Sequence, residues 1–204
     1  MGEEEIMYKK TLTAMIFAVV MACPLSSYAL NFYVNSDYPG VLLLENRFEP
    51  GDDMVFEKHV TENNIDTIAF NSSGGSLMSA IGIGHIIRDM GLNTIVPKGG
   101  YCYSACAYSF MGGVERSIVE GSPFAMHRPY FNETFDKNAA GDYVDGYNSG
   151  IVVAVMIAYY LIEMGMDAEV ASLHLMSIEL AHFTTAQQAE LNITTTTAKE
   201  APVL

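Results

Sequence analysis

Thr67-Ile68-Ala69-Phe70, then Asn71-Ser72-Ser73-Gly74-Gly75, then the run from Ser76 to Gly91 form the stretch whose reading decides the fold. The first four residues are a short apolar run bounded by polar ones, which reads as a buried strand. Asn71 to Gly75 have the composition of a turn. From Ser76 onward Leu77, Ile81, Ile83, Ile86, Ile87 and Met90 recur at helical spacing, and Gly91 stands where a left-handed cap is wanted. The same alternation continues on both sides. Upstream, Gly40 to Leu44 reads as a strand, and Gly51-Asp52-Asp53 caps a helix running to about His59 or Asn63. Downstream come a strand at Thr94-Ile95-Val96, a turn at Pro97 to Gly100, and a short helix from Ser104 to Met111 stopped by Gly112-Gly113. Ser117-Ile118-Val119 and Phe124 to His127 are strand-like, and residues 129–147 have loop composition. Short connections between alternating strands and helices favour right-handed βαβ units, hence an α/β fold with a mostly parallel sheet.

The C-terminal half adds a long helix, Tyr147 to Met164, apolar nearly all round from Ile151 to Ile162. It is too short, and too closely flanked by Asp and Glu, to read as a membrane span. Its apolar faces must be covered by this chain or by another copy of it. Asp167 to Met176 and Thr185 to Leu191 read as closing helices, with a frayed tail from about 194.

The chain has 204 residues, 10 Lys+Arg against 24 Asp+Glu, a net charge of −14, and 50% hydrophobic residues. Its mean hydropathy of +0.20 excludes disorder as the main state, because disordered chains combine charge with low hydrophobicity. Its acidity argues against nucleic acid as a partner, since phosphate backbones demand a basic patch.

Lys9 and Lys10 precede an apolar run of about a dozen residues around Met15 to Ala22, and Ser27-Tyr28-Ala29 offers small residues where a signal peptidase reads. Residues 1–29 are therefore expected to be a signal peptide, with 30–204 a single domain, periplasmic or secreted. Glu3 to Glu5 spoil the basic region, and Met7 begins a better one than Met1. An alternative is a lipoprotein anchored at Cys23, after the lipobox-like Val20-Met21-Ala22. Export would put Cys102 and Cys106 in an oxidising space. A bridge between them is expected, with two small buried thiols as the alternative. Ligand spacing for zinc is absent and no cofactor is expected.

Three features point to one site: Gly74-Gly75 after a buried strand, Ser104 at a helix start, and His127 at a strand end. Each alone has an ordinary structural use, as turn, helix cap or core histidine. Together they supply acyl transfer. A serine hydroxyl becomes a useful nucleophile once an imidazole takes its proton, and the tetrahedral oxyanion needs fixed N–H donors, which a glycine turn and a helix N-terminus provide.

Asn71-Ser72-Ser73-Gly74-Gly75-Ser76 resembles the Asn-Ser-Pro-Gly-Gly segment of the Clp protease proteolytic subunit, in the wider Clp protease/crotonase superfamily. Ser104 falls, without a gap, where that family has its nucleophile, and Met126-His127-Arg128-Pro129 resembles the segment around its catalytic histidine. Phe183-Thr184, Gln187-Gln188 and Leu191-Asn192-Ile193 echo its closing helix more weakly. The Cys-Tyr-Ser-Ala-Cys cluster around Ser104 is most similar to exported Clp-like bacterial proteins. The resemblance implies a spiral of ββα units, Ser104 as nucleophile, His127 as general base, and the N–H groups of Gly75 and Ala105 as oxyanion hole. It also implies a homo-oligomer, since the family's counterpart of the 147–164 helix packs between subunits. Two departures stand out: Ser73 replaces the proline, and Leu180 occupies the place of the acid, with Glu179 one residue away as a candidate third member. A backbone carbonyl or a water holding His127 is the competing expectation.

The resulting expectation is an exported serine hydrolase, an ATP-independent peptidase acting on peptide or protein, since cytosolic ATPase partners are out of reach of an exported chain. Two alternatives stand beside it. One is a catalytically impaired Clp-like fold used as a binding or assembly module, and the other a crotonase-like enzyme acting on acyl thioesters.

Overall fold

The computed structural model describes residues 29–34, 36–130, 140–176 and 179–196. The expected signal peptide up to residue 28, Cys23 included, and the tail beyond 196 lie outside them. The order of elements is β1 (Asn31–Val34), β2 (Val41–Phe48), α1 (Asp52–Glu62), β3 (Thr67–Gly75), α2 (Leu77–Asp89), β4 (Asn93–Val96), β5 (Cys102–Tyr103), α3 (Ala105–Met111), β6 (Arg116–Ile118), β7 (Phe124–Met126), α4 (Ala140–Glu163), α5 (Ala168–Met176), β8 (Ala181–His182) and α6 (Thr185–Glu190). The fold is α/β, with a mixed, mostly parallel sheet.

β3 is the hub. It lies parallel to β2 along its length, pairing Leu42 with Ile68 and Phe48 with Gly75. On its other side the start of β3 pairs with β4, and Ser72 pairs with Cys102 of β5. The sheet therefore forks. One branch continues from β4 to β6, the other from β5 to β7, all parallel, while β1 and β8 close the ends antiparallel.

Asn71 to Gly75, expected as a turn, are the second half of β3. Their turn-forming side chains are overridden because both neighbours offer ladder partners there. The stretch is irregular all the same, since Asn46 (φ 77°) of β2 faces both Ser72 and Ser73. The buried Ser72 hydroxyl stitches that irregularity, donating to the Asn46 carbonyl and accepting from Gly74 N–H at 3.1 Å. The long helix starts at Ala140 rather than Tyr147, so the end of the expected 129–147 loop is helical.

Phe48, Phe56, Phe70, Phe110 and Phe124 lie fully buried among Leu42, Leu44, Ile68, Ile83, Ile87, Met111 and Met126. Helices α2, α3 and α4 meet at Gly84, where a Cβ would lie 1.8 Å from the Tyr160 hydroxyl. That hydroxyl donates to the Tyr108 carbonyl at 2.6 Å, and burial raises the Tyr160 pKa.

Two arginines hold the opposite ends of these helices. Arg116, 3% exposed, donates to the carbonyls of Gly113, Asn192 and Ile193 at 2.7–3.0 Å, and Arg88 to those of Met111, Gly113 and Met164. Neither pairs with a carboxylate among the described residues. The carbonyls at the ends of α3 and α4 carry the partial negative charge that replaces one. Burial, then the neighbouring Arg88, lowers the Arg116 pKa to about 10. Thr194 to Thr196, expected to begin a frayed tail, hydrogen-bond to Gln188 and Arg116.

Candidate active site

The β5 branch brings the three sequence features together. Ser104 follows β5 and opens α3 at φ 55° and ψ −123°, a conformation sparsely populated by residues with a side chain. It is the commonest kind of residue to cap a helix, yet its hydroxyl makes no capping hydrogen bond. The strained turn instead leaves the half-buried side chain on the wall of a cavity of about 490 Å3. A volume of that order suits a small molecule or one to two amino-acid side chains.

The turn is fixed from three directions. Ser104 N–H donates to the Ala125 carbonyl of β7 at 2.9 Å. Cys102 on β5 and Cys106 in the first turn of α3 form a disulfide across it, with Cα atoms 5.4 Å apart and both residues fully buried. Beneath it lies Gly74 at φ 90°, where an added Cβ would come within 2.6 Å of the Tyr103 carbonyl oxygen and 2.7 Å of Ala105 N. Only glycine lets β3 approach the turn so closely.

Gly75 and Ala105 also line the cavity. Ala105 is the first residue of α3, so its N–H has no carbonyl one turn earlier to bond inside the helix. An amide in that position, at the positive end of the helix, suits a developing oxyanion.

His127 follows the last residue of β7, on the strand beside β5, and lines the same cavity. Its Nδ1 lies 2.8 Å from the Arg128 carbonyl oxygen, which can only accept, so a hydrogen bond there needs the proton on Nδ1, the tautomer that leaves Nε2 able to accept one. The ring stacks on Tyr130, with centroids 5.3 Å apart and planes 25° from parallel. Among the described residues no hydrogen bond joins Ser104 to His127; catalytic hydrogen bonds of this kind often tighten only when substrate binds.

The position of the acid has a structural explanation. β8 runs antiparallel to β7 with Met126 opposite Ala181, and the same register continued by one residue sets His127 opposite Leu180. Leu180 lines the cavity, while Glu179 beside it is exposed and is not part of the wall. Of the expected ways of holding the imidazole, a backbone carbonyl is within hydrogen-bond distance, that of Arg128.

The rest of the wall was not legible in the sequence. Leu77, Met78, Val153 and Leu180 form an apolar side, Tyr103 and Tyr108 frame the serine, and Arg47 enters from β2. Tyr130 sits in a stretch of loop composition, Val153 lies within a uniformly apolar helix, and Arg47 looks like an ordinary solvent-facing strand residue. None carries a local pattern that marks it. No protein-family model and no curated protein sequence matches this chain.

Proposed function

We propose that this chain is an exported serine hydrolase, an ATP-independent peptidase with the Clp protease/crotonase-like architecture. The observation that carries this reading is the backbone of Ser104: a serine held at positive φ on a strand-to-helix turn, its hydroxyl unused as a cap and facing a cavity beside an imidazole. Stored strain of this sort costs about 1–3 kcal/mol and gathers at sites where a side chain has to be presented. The forked parallel sheet, with its site at the ends of β5 and β7, supports the architectural part. The residues of the expected signal peptide support the periplasmic or secreted location.

In the proposed reaction Ser104 Oγ attacks the scissile carbonyl while Nε2 of His127 takes the hydroxyl proton. The negative oxygen of the tetrahedral intermediate is met by the N–H groups of Gly75 and Ala105. The imidazolium then gives its proton to the leaving amine, and a water repeats the sequence to release the acyl group. The Arg128 carbonyl keeps His127 in the productive tautomer. It stabilises the imidazolium less than a carboxylate would, so turnover is expected to be slow beside that of a full triad.

A second reading, a binding or assembly module that has lost catalysis, is favoured by one observation: the apolar Leu180 opposite His127. The two readings separate in a peptidase assay of the variants. Ser104→Ala and His127→Ala are each expected to reduce hydrolysis to the same residual level, and the double variant to reduce it little further, because the groups act as a unit. A Cys102→Ala/Cys106→Ala variant is expected to retain reduced turnover. If that variant is inactive while Ser104→Ala keeps most of the activity, the enzyme is a thiol hydrolase; if wild type hydrolyses no peptide above background, the module reading stands.

A further inference from the structure

We propose that Arg47 selects the substrate: the cavity accepts acyl groups carrying a carboxylate within about one residue of the scissile carbonyl, with a large apolar group on the opposite wall. The inference rests on the serine-hydrolase reading and names its substrate class.

Arg47 reaches the site through the irregularity between β2 and β3. Past Asn46 the register resumes with Arg47 opposite Gly74, the glycine on which the Ser104 turn rests. Its stem packs on Gly75, where an added Cβ would lie 2.9 Å from Arg47 Cγ. The guanidinium therefore departs from a point next to the proposed oxyanion donor. In a chain with 24 Asp+Glu against 10 Lys+Arg, no carboxylate lines the cavity among the described residues, and Arg47 is its one permanent cation there. Of the acidic groups nearest to it in sequence, Glu45 on the same strand accepts from Asn71 Nδ2 at 2.8 Å, and Glu49, just past the strand, pairs with Arg47 Nε itself at 3.4 Å.

That last pair is the informative one. The two side chains are 54% and 44% exposed, so the contact is screened by solvent and exchanges readily. A substrate carboxylate in the cavity can take both N–H groups of the guanidinium fork in a less hydrated setting, which is the stronger interaction. Glu49 thus holds the arginine in place until a substrate anion displaces it. Leu77, Met78, Val153 and Leu180 supply the apolar wall for the remainder of the acyl group.

Two sources could present such a carboxylate, an Asp or Glu side chain flanking the cut or the free C-terminus of a short peptide. Digestion of a mixed peptide library by the mature protein, read by mass spectrometry, distinguishes them when the library is run with free and with amidated C-termini. Wild type is expected to enrich Asp and Glu next to the cut, or cuts next to a free C-terminus, at least fivefold. Arg47→Gln should lower that enrichment toward unity, with the loss carried by KM, and Arg47→Lys should restore part of it. Glu49→Gln, which frees the arginine, should raise it about twofold. Equal enrichment in wild type and Arg47→Gln, or an equal loss on acidic and amide-matched peptides, overturns the proposal. So does an unchanged enrichment in Glu49→Gln, a variant that keeps the test decisive if Arg47→Gln does not fold. Fluorophosphonate labelling at Ser104 separates the two levels: labelling without enrichment rejects the role of Arg47 alone, and no labelling rejects the hydrolase reading with it.

Discussion

At the scale of single residues, the site depends on a contact between two backbones. Gly74 lies under the Ser104 turn so closely that a methyl group would meet the Tyr103 carbonyl and the Ala105 nitrogen, both immobile backbone atoms, and its φ of 90° adds strain for any other residue. Gly74→Ala is therefore expected to cost about 2–4 kcal/mol in urea unfolding and to displace the turn that presents the serine. A variant as stable as wild type would show that the two strands are not held together there. The importance of Gly74-Gly75 was readable from the sequence, but for a different physical reason. Two glycines after a strand suggested a turn, whereas here they are the last two residues of the strand itself and allow close packing there. The resemblance of Met126-His127-Arg128-Pro129 marked His127, whereas nothing in the sequence marked the Arg128 carbonyl that lies 2.8 Å from its Nδ1.

Among the elements, the helices were legible because their apolar residues repeat at the helical period or their ends are capped. α2 follows Ile81, Ile83 and Ile87 into the core, and α6 opens on the capping box of Thr184 and Gln187. β1, β5 and β8, of four, two and two residues, were not read from the sequence. Their existence depends on partners remote in sequence. The first turn of α1 gives a pH-dependent test. Asp52 is buried there, and its Oδ2 accepts from Glu49 N–H at 2.6 Å. Burial raises its pKa above the ordinary 3.8, the Glu49 hydrogen bond pulls it down, and the charges of Glu49 and Asp53 push it up. The native state therefore holds this proton more tightly than the unfolded chain does. The contribution of Asp52 to stability is full below 3.8 and is lost as pH rises through its native pKa. Asp52→Asn, which keeps an acceptor oxygen without the charge, is expected to melt at a higher temperature than wild type at pH 7, with the difference shrinking toward pH 4. A lower melting temperature at pH 7 would mean that the carboxylate favours the helix N-terminus more than its burial opposes it.

For the whole molecule, the largest open question posed by the surface is α4. Its inner face buries Ile157, Tyr160 and Leu161, while Val152, Val155, Tyr159 and Ile162 stand 59–76% exposed on the outer one. No helix among the described residues is long and apolar enough to cross a membrane. An apolar stripe of that extent on a strongly acidic protein is expected to be covered by a second copy of the chain. Light scattering should find wild type self-associated and Val155→Glu/Tyr159→Glu monomeric; a wild type that stays monomeric across a wide concentration range contradicts this. The central claim, that the fold exists to present an activated serine, is independent of assembly and of the natural substrate. Its most direct test is reaction of the mature protein with a fluorophosphonate probe, followed by mapping of the modified peptide. The account predicts stoichiometric labelling at Ser104, abolished in Ser104→Ala and strongly slowed in His127→Ala. Wild-type protein that is folded yet unlabelled, or labelling that persists in Ser104→Ala, would contradict it.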